Sequence, residues 1–319
     1  MIVEIDEPGS TQTEQVCSGV IIDATHILTA AHCLYYKGVR IPLSQYLVSA
    51  GIDEYDSNAD LSTLQQPPVS TASVFPGYVL GQQGDDLGLI TLATPLTFDG
   101  PDVAPIARVA AAKPPDAGTA VTLYGWGWTT TTGPDGFEHS VALQIDSTST
   151  CRSGLPAVMC ASSPTGTGCQ GDSGAGLVAL DPQPTLVGIE DATVGKDCVP
   201  GNVNVYADLS SPGIIAWLNG NSNPPLAPRT SYLPTLTSPA RVNGELACGT
   251  PNWSGNPKVT FEFVDTTSNV VLQNGTRPVY AIKPAELHHR IQCIVAAQDA
   301  GGTTYSTSHT VIVTASVRK

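Results

Sequence analysis

Three short strings carry residue types that together could transfer an acyl group: Thr29-Ala30-Ala31-His32-Cys33, Asp86-Leu87-Gly88-Leu89 and Gly168-Cys169-Gln170-Gly171-Asp172-Ser173-Gly174. A serine hydroxyl is a weak nucleophile at neutral pH. It needs a base to take its proton, and a third group to hold that base in one tautomer. His32 offers the base, Asp86 the orienting carboxylate and Ser173 the nucleophile.

The elements that must bring these groups together are short strands. With 319 residues, 31 Gly, 26 Pro and 13% charged residues, the chain exceeds one ordinary domain and suits strands and turns rather than long helices. Apolar runs at Val20 to Ile22, Ile27 to Thr29, Leu89 to Leu92, Ala120 to Tyr124, Leu186 to Ile189 and Val203 to Tyr206 are separated by turn residues, which predicts an all-β architecture. Ser211-Pro212-Gly213, followed by the apolar run Ile214 to Leu218, predicts one short helix with proline at its start. Residues 221–232 are rich in Asn and Pro, resist a packed core and read as a linker, dividing the chain into 1–220 and 233–319. Beyond the linker, Val259-Thr260-Phe261-Glu262-Phe263 alternates with period two, and Arg290 to Val295 continues the strand-rich pattern. His288 and His289 read as solvated side chains.

Bulk properties exclude other functions. A net charge of -14, with only 14 Lys plus Arg, opposes docking on nucleic acid or on anionic lipid. No apolar run reaches the length of a membrane span. Met1-Ile2-Val3-Glu4 also lacks the basic start and apolar core of a signal peptide, so the chain reads as a mature fragment or as a piece expressed with an added Met1. Eight cysteines, without a Cys-x-x-Cys pair or histidines at zinc-ligand spacing, read as four disulfides formed in an oxidising compartment. Their connectivity stays open on spacing alone, and no cofactor or metal is expected.

Over residues 17–219 the chain resembles the trypsin-like serine peptidases. Cys17-Ser18-Gly19-Val20-Ile21-Ile22, Ile27 to Cys33, Val74-Phe75-Pro76-Gly77-Tyr78, Gly125-Trp126-Gly127 and the Ser173 string carry the resemblance. The order His, Asp, Ser fits this family and differs from that of subtilisin and the α/β-hydrolases, and Asp172 before Ser173 departs from a Gly-x-Ser-x-Gly elbow. The resemblance implies two packed six-stranded antiparallel barrels and a secreted enzyme that hydrolyses protein or peptide substrates through an acyl intermediate. It implies His32 as base, Asp86 rather than Asp85 as its partner because of the Leu87-Gly88-Leu89 frame, and the N–H groups of Gly171 and Ser173 as oxyanion donors. It also implies the pairs Cys17–Cys33, Cys151–Cys160 and Cys169–Cys198, which leaves Cys248–Cys293 for the second domain.

Carried further, the resemblance places Thr167 at the base of the primary substrate pocket and Thr193 and Asn204 on its walls, which implies cleavage after small or medium uncharged residues. Asp191 stands where the family usually has a serine; it either crowds Asp86, raising the pKa of one carboxyl, or is a surface residue of a rebuilt loop. Family members commonly bury a freed Ile or Val amine against the Asp preceding the nucleophile, here Asp172. Val3-Glu4-Ile5, however, reads as a barrel strand. Asp53, Glu54, Asp56 and Asp60 lie in a loop that binds calcium in some relatives, although acidic surface loops are commoner.

Residues from about Pro234 to Val313 resemble the immunoglobulin-like repeats of secreted bacterial proteins, through Leu246-Ala247-Cys248, Trp253 and Ile291-Gln292-Cys293. This module would bind a cell surface, a polysaccharide or another protein, or act as a spacer. The competing function class is an inert peptidase fold that serves as a binding or adhesion protein.

Overall fold

The computed structural model describes residues 2–6, 13–51, 64–100, 102–129, 136–147, 151, 154–180, 182–196 and 198–316, with side chains from Cys17 onward. The chain forms two compact units, one of Met1–Cys151 with Val158–Pro224, the other of Arg152–Ala157 with Pro225–Lys319. Among the described residues, no helix is long and apolar enough to cross a membrane.

Among its described residues, the first half of the first unit contains a two-stranded antiparallel sheet, Tyr35–Tyr36 with Val39–Arg40, and two larger antiparallel ones. In one, Ile2–Asp6 lies between Thr13–Ser18 and Tyr46–Ser49, so Val3-Glu4-Ile5 forms a strand. In the other the order is Val20–Ile21, His26–Thr29, Gly88–Leu92, Val69–Val74. Both sheets feed one core, in which Cys17, Val48 and Ala50 meet Ile27, Ile90 and Leu92. The expected closed six-stranded barrel is here a pair of sheets among the described residues. Gly19 breaks the ladder between Ser18 and Val20, and the sheets are joined by apolar packing and by an isolated antiparallel bridge of Ala50 with Gln65.

The second half is a closed barrel of six strands: Ala120–Gly125, His139–Ile145, Val158–Ser162, Val203–Asp208, Thr185–Val194 and Gly176–Ala179, the last pairing back to the first. Alternation drives it, since Val121 and Leu123 are buried while Tyr124 between Leu123 and Gly125 is exposed. Each fully buried Leu or Val side chain contributes about 1.5–3 kcal/mol to such a core. The helix Pro212–Leu218 begins with proline and buries Ile214; its Trp217 packs edge-on against buried Phe75 of the first half, with ring centroids 5.7 Å apart.

The second unit has a three-stranded sheet, Thr235–Leu236, Glu245–Gly249, Val279–Ala281, and a sheet ordered Val270–Gly275, Lys258–Asp265, Arg290–Asp299, Gly302–Thr307, with Val311–Ile312 also pairing the long central strand. Cys248 and Cys293 join the two sheets across a core containing Leu246, Phe263, Ile291 and Val295. Part of the segment read as a linker packs within this unit. Ala227 is buried, Arg229 and Ser254 exchange hydrogen bonds of 2.9 and 2.8 Å, and a side chain on Gly301 would strike the Leu226 backbone. The other expected pairs, Cys17–Cys33, Cys151–Cys160 and Cys169–Cys198, are also joined.

His289 departs from the solvated reading, because its Nδ1 lies 2.6 Å from Oδ2 of buried Asp265. Asp53, Glu54, Asp56 and Asp60 lie outside the described residues.

Candidate active site

Strand register brings His32 and Asp86 together. Thr29 pairs with Gly88 in an antiparallel ladder, so His32, three residues beyond Thr29, and Asp86, two residues before Gly88, leave the same end of the sheet. Both carboxylate oxygens of Asp86 then face one residue. The His32 backbone N–H donates to Oδ1 at 2.9 Å, and ring Nδ1 lies 2.6 Å from Oδ2. With its proton on Nδ1, the imidazole presents Nε2 as the base. Burial opposes a charged imidazole, yet the hydrogen bond and charge of Asp86, together with the charge of Asp191, hold the His32 pKa above the ordinary histidine value. Neighbouring Asp85 takes a positive φ of 54° and turns its carboxylate towards Gly77 and Phe75.

The loop carrying Ser173 is braced against the segment that leads to His32. The Ser18 N–H donates to the Ser173 carbonyl at 2.8 Å, and a side chain on Gly174 would collide with Ser18 O and Thr29 Oγ1. Ser18 does more than the sequence suggested. Its hydroxyl donates to the Gly171 carbonyl and accepts from the Trp126 N–H, both at 3.0 Å. In the loop, the N–H groups of Asp172, Gly174 and Ala175 donate to Cys169, Glu190 and Asp172 carbonyls. Those of Gly171 and Ser173 have no protein acceptor among the described residues. Gly171 adopts φ 93°, a conformation that suits glycine.

Asp172 is buried, and its carboxylate accepts the N–H groups of Gly127 at 2.9 Å and Cys169 at 2.8 Å. Burial raises its pKa, and those two hydrogen bonds oppose the rise. Gly125 and Gly127 are small by necessity, because a side chain on either would run into this carboxylate.

Two of the three pocket candidates converge on one atom of the third, Oδ1 of fully buried Asn204. Thr167 Oγ1 lies 3.0 Å from it, the Gly168 N–H 2.8 Å and Thr193 Oγ1 3.1 Å. The Asn204 amide donates in turn to the Ala161 carbonyl. Sequence reasoning passed over Glu190, which is buried with Oε1 3.4 Å from Thr193 Oγ1; burial, then the Asp172 charge, drive its pKa well above the usual carboxylate range.

Asp191 does crowd Asp86. A ring nitrogen of His32 and one carboxylate oxygen from each of Asp86 and Asp191 all lie within 4.8 Å of one another. Burial and then the Asp86 charge push the Asp191 pKa up to about 7.

A closed β-barrel, a histidine held by a buried aspartate and a serine loop braced against the segment leading to that histidine are parts that a serine hydrolase requires. Comparison with known proteins sharpens this. The trypsin family model matches residues 6–218. Trypsin-1 of Astacus astacus is 30% identical over 218 residues, covering 65% of this chain and 87% of its own. Hypodermin-B of Hypoderma lineatum is 32% identical over 221 residues, covering 65% and 77%. Trypsin iota of Drosophila melanogaster is 31% identical over 204 residues, covering 61% and 74%. The chain belongs to the trypsin family and is a serine endopeptidase.

Proposed function

We propose that His32, Asp86 and Ser173 form the catalytic triad of a secreted endopeptidase. The observation that carries this reading is the two-point grip of Asp86 on His32, through the backbone N–H and ring Nδ1. His32 takes the Ser173 hydroxyl proton as that oxygen attacks a peptide carbonyl, Asp86 stabilises the imidazolium, and the proton passes to the leaving amine. The free N–H groups of Gly171 and Ser173 serve the oxyanion, where losing one donor typically costs about 3 kcal/mol. Water then hydrolyses the acyl intermediate.

The pocket built from Thr167, Thr193 and Asn204 selects small or medium uncharged residues. Support comes from the convergence of Thr167 and Thr193 on Asn204, which fills pocket space with neutral groups. Secretion is supported by four disulfides, which persist in oxidising compartments. The two sheets joined by Cys248–Cys293 support an immunoglobulin-like module appended to a peptidase domain of residues 1–220.

Labelling with a fluorophosphonate tests the triad. Ser173 should be modified covalently, and Ser173→Ala should abolish both labelling and peptide hydrolysis. Unlabelled Ser173 in folded protein would count against the reading, and a panel showing strong Arg or Lys preference would overturn the pocket assignment.

A further inference from the structure

Asp191 stands at a β-bulge. In the pairing of Thr185–Val194 with Val203–Asp208, Glu190 faces Tyr206 and Ala192 faces Val205, which leaves Asp191 as the extra residue. Such a bulge re-aims a side chain out of the regular alternation. Here it turns a carboxyl, only 5% exposed, towards Asp86, itself 2% exposed. Two carboxylates this close and this dry cannot both carry charge cheaply, so one retains a proton. Asp86 is the natural anion because it meets two donors of His32. Asp191 meets one, the Gly84 N–H at 3.0 Å on Oδ2, which leaves Oδ1 to hold the proton.

We propose that Asp191 is a positioning residue, whose protonated carboxyl donates a hydrogen bond to Asp86 and so keeps the acid pair behind His32 at a single negative charge. This rests on the triad reading given above. Loss of the shared proton places two anions side by side. Their repulsion pulls Asp86 away from Nδ1 and loosens its hold on the ring, so the imidazole is no longer fixed for proton transfer. The surroundings give the second charge little help. Tyr78 faces both carboxyls and is itself held protonated, first by burial and then by the Asp86 charge. Glu190 adds another acidic group from the same strand, Asp85 lies beside Asp86 in the chain, and His32 is the cation within reach. Because the pair and the imidazole titrate together, their steps belong to the cluster rather than to one residue.

The test compares wild type with Asp191→Asn, whose amide can still accept from Gly84 and donate to Asp86 but cannot titrate. Wild-type kcat should fall about tenfold between pH 7 and pH 9 as Asp191, whose pKa burial and the Asp86 charge push up to about 7, loses its proton, while the variant should lack this descent. In parallel, the Cε1–H resonance of His32 is followed by NMR on the full chain. Wild type should titrate in two steps, because Asp191 gains its charge in the same range, and the variant in one, because its amide cannot ionise. Superimposable pH profiles and identical His32 titrations would overturn the proposal. The NMR arm needs no turnover, so an inert protein would sink the triad reading while the titration still decides the role of Asp191. If Asp191→Asn fails to fold, Asp191→Ser takes its place, and the two-step titration is read from wild type alone.

Discussion

Each unit holds a histidine whose Nδ1 lies 2.6 Å from a buried aspartate, His32 on Asp86 in the first and His289 on Asp265 in the second. Exposure is nearly matched, with side chains 33% and 3% exposed in one pair and 34% and 4% in the other. The pairs differ in what else meets the carboxylate. Asp265 also accepts from the Ser268 hydroxyl at 2.5 Å and from the Thr267 N–H at 2.9 Å, donors supplied by the turn that follows its strand. Burial alone would raise its pKa, but the hydrogen bonds from Ser268, His289 and Thr267 bring it down to about 2. The nearby serine there spends its hydroxyl on a hydrogen bond to the acid, so the cluster is a staple. Around Asp86, His32 supplies two donors, a second acid stands within 4.8 Å, and the serine loop is braced against Ser18 on the segment that leads to His32. On the proposed triad, what separates the two pairs is a nucleophile opposite the imidazole rather than a serine spent on the acid.

The contrast can be broken most severely at the serine. Ser173→Ala should reduce kcat by about a million-fold in a peptide assay, whereas Ser268→Ala should leave kcat unaltered. Asp86→Asn should cost about ten-thousand-fold in kcat by stabilising the wrong tautomer of His32, while Asp265→Asn leaves turnover intact. Replacing Cys248 and Cys293 by alanine should destabilise the second unit by about 2–4 kcal/mol in chemical denaturation, without reducing fluorophosphonate labelling of Ser173.

The smallest and most diagnostic effect is the opposite pH dependence of the two acids. Asp265, with its folded pKa depressed to about 2, stabilises the fold above its ordinary value near 4, and that stabilisation is lost as pH falls from about 4 to about 2. Asp191 is raised to about 7, so the folded protein keeps a proton that the unfolded chain has released; stability declines as pH rises from about 4 to about 7 and then levels. Hydrogen exchange against pH, read in Lys258–Asp265 and in Thr185–Val194, should slope in these opposite directions. Asp265→Asn and Asp191→Asn should each flatten its own slope.

Much of the site was legible because its signals are local. Thr29 to Cys33 joins a strand end to a half-cystine, and Gly171 and Gly174 mark a backbone that needs positive φ. The helix from Pro212 was readable from proline at its first position. Legibility failed where a partner is distant in the chain. The packing of residues 225–232 depends on Ser254 and Gly301, and no local composition foretells those contacts. His289 looked solvated because its acid lies 24 residues away on another strand.

The amino-acid sequence by itself determined the chemical inventory: one base, one nucleophile, adjacent candidate acids and cysteines enough for four bridges. It also determined the short alternating strands that make an all-β chain. Tertiary structure supplied the physical reason why Asp86 rather than Asp85 reaches His32, because the pairing of Thr29 with Gly88 sets where Asp86 emerges, while the positive φ at Asp85 sends that side chain elsewhere. It alone decided that Asp191 meets Asp86 rather than water. A single extra residue in one strand turns that side chain from the face that regular alternation would give it, and burial then fixes the charge the pair can carry.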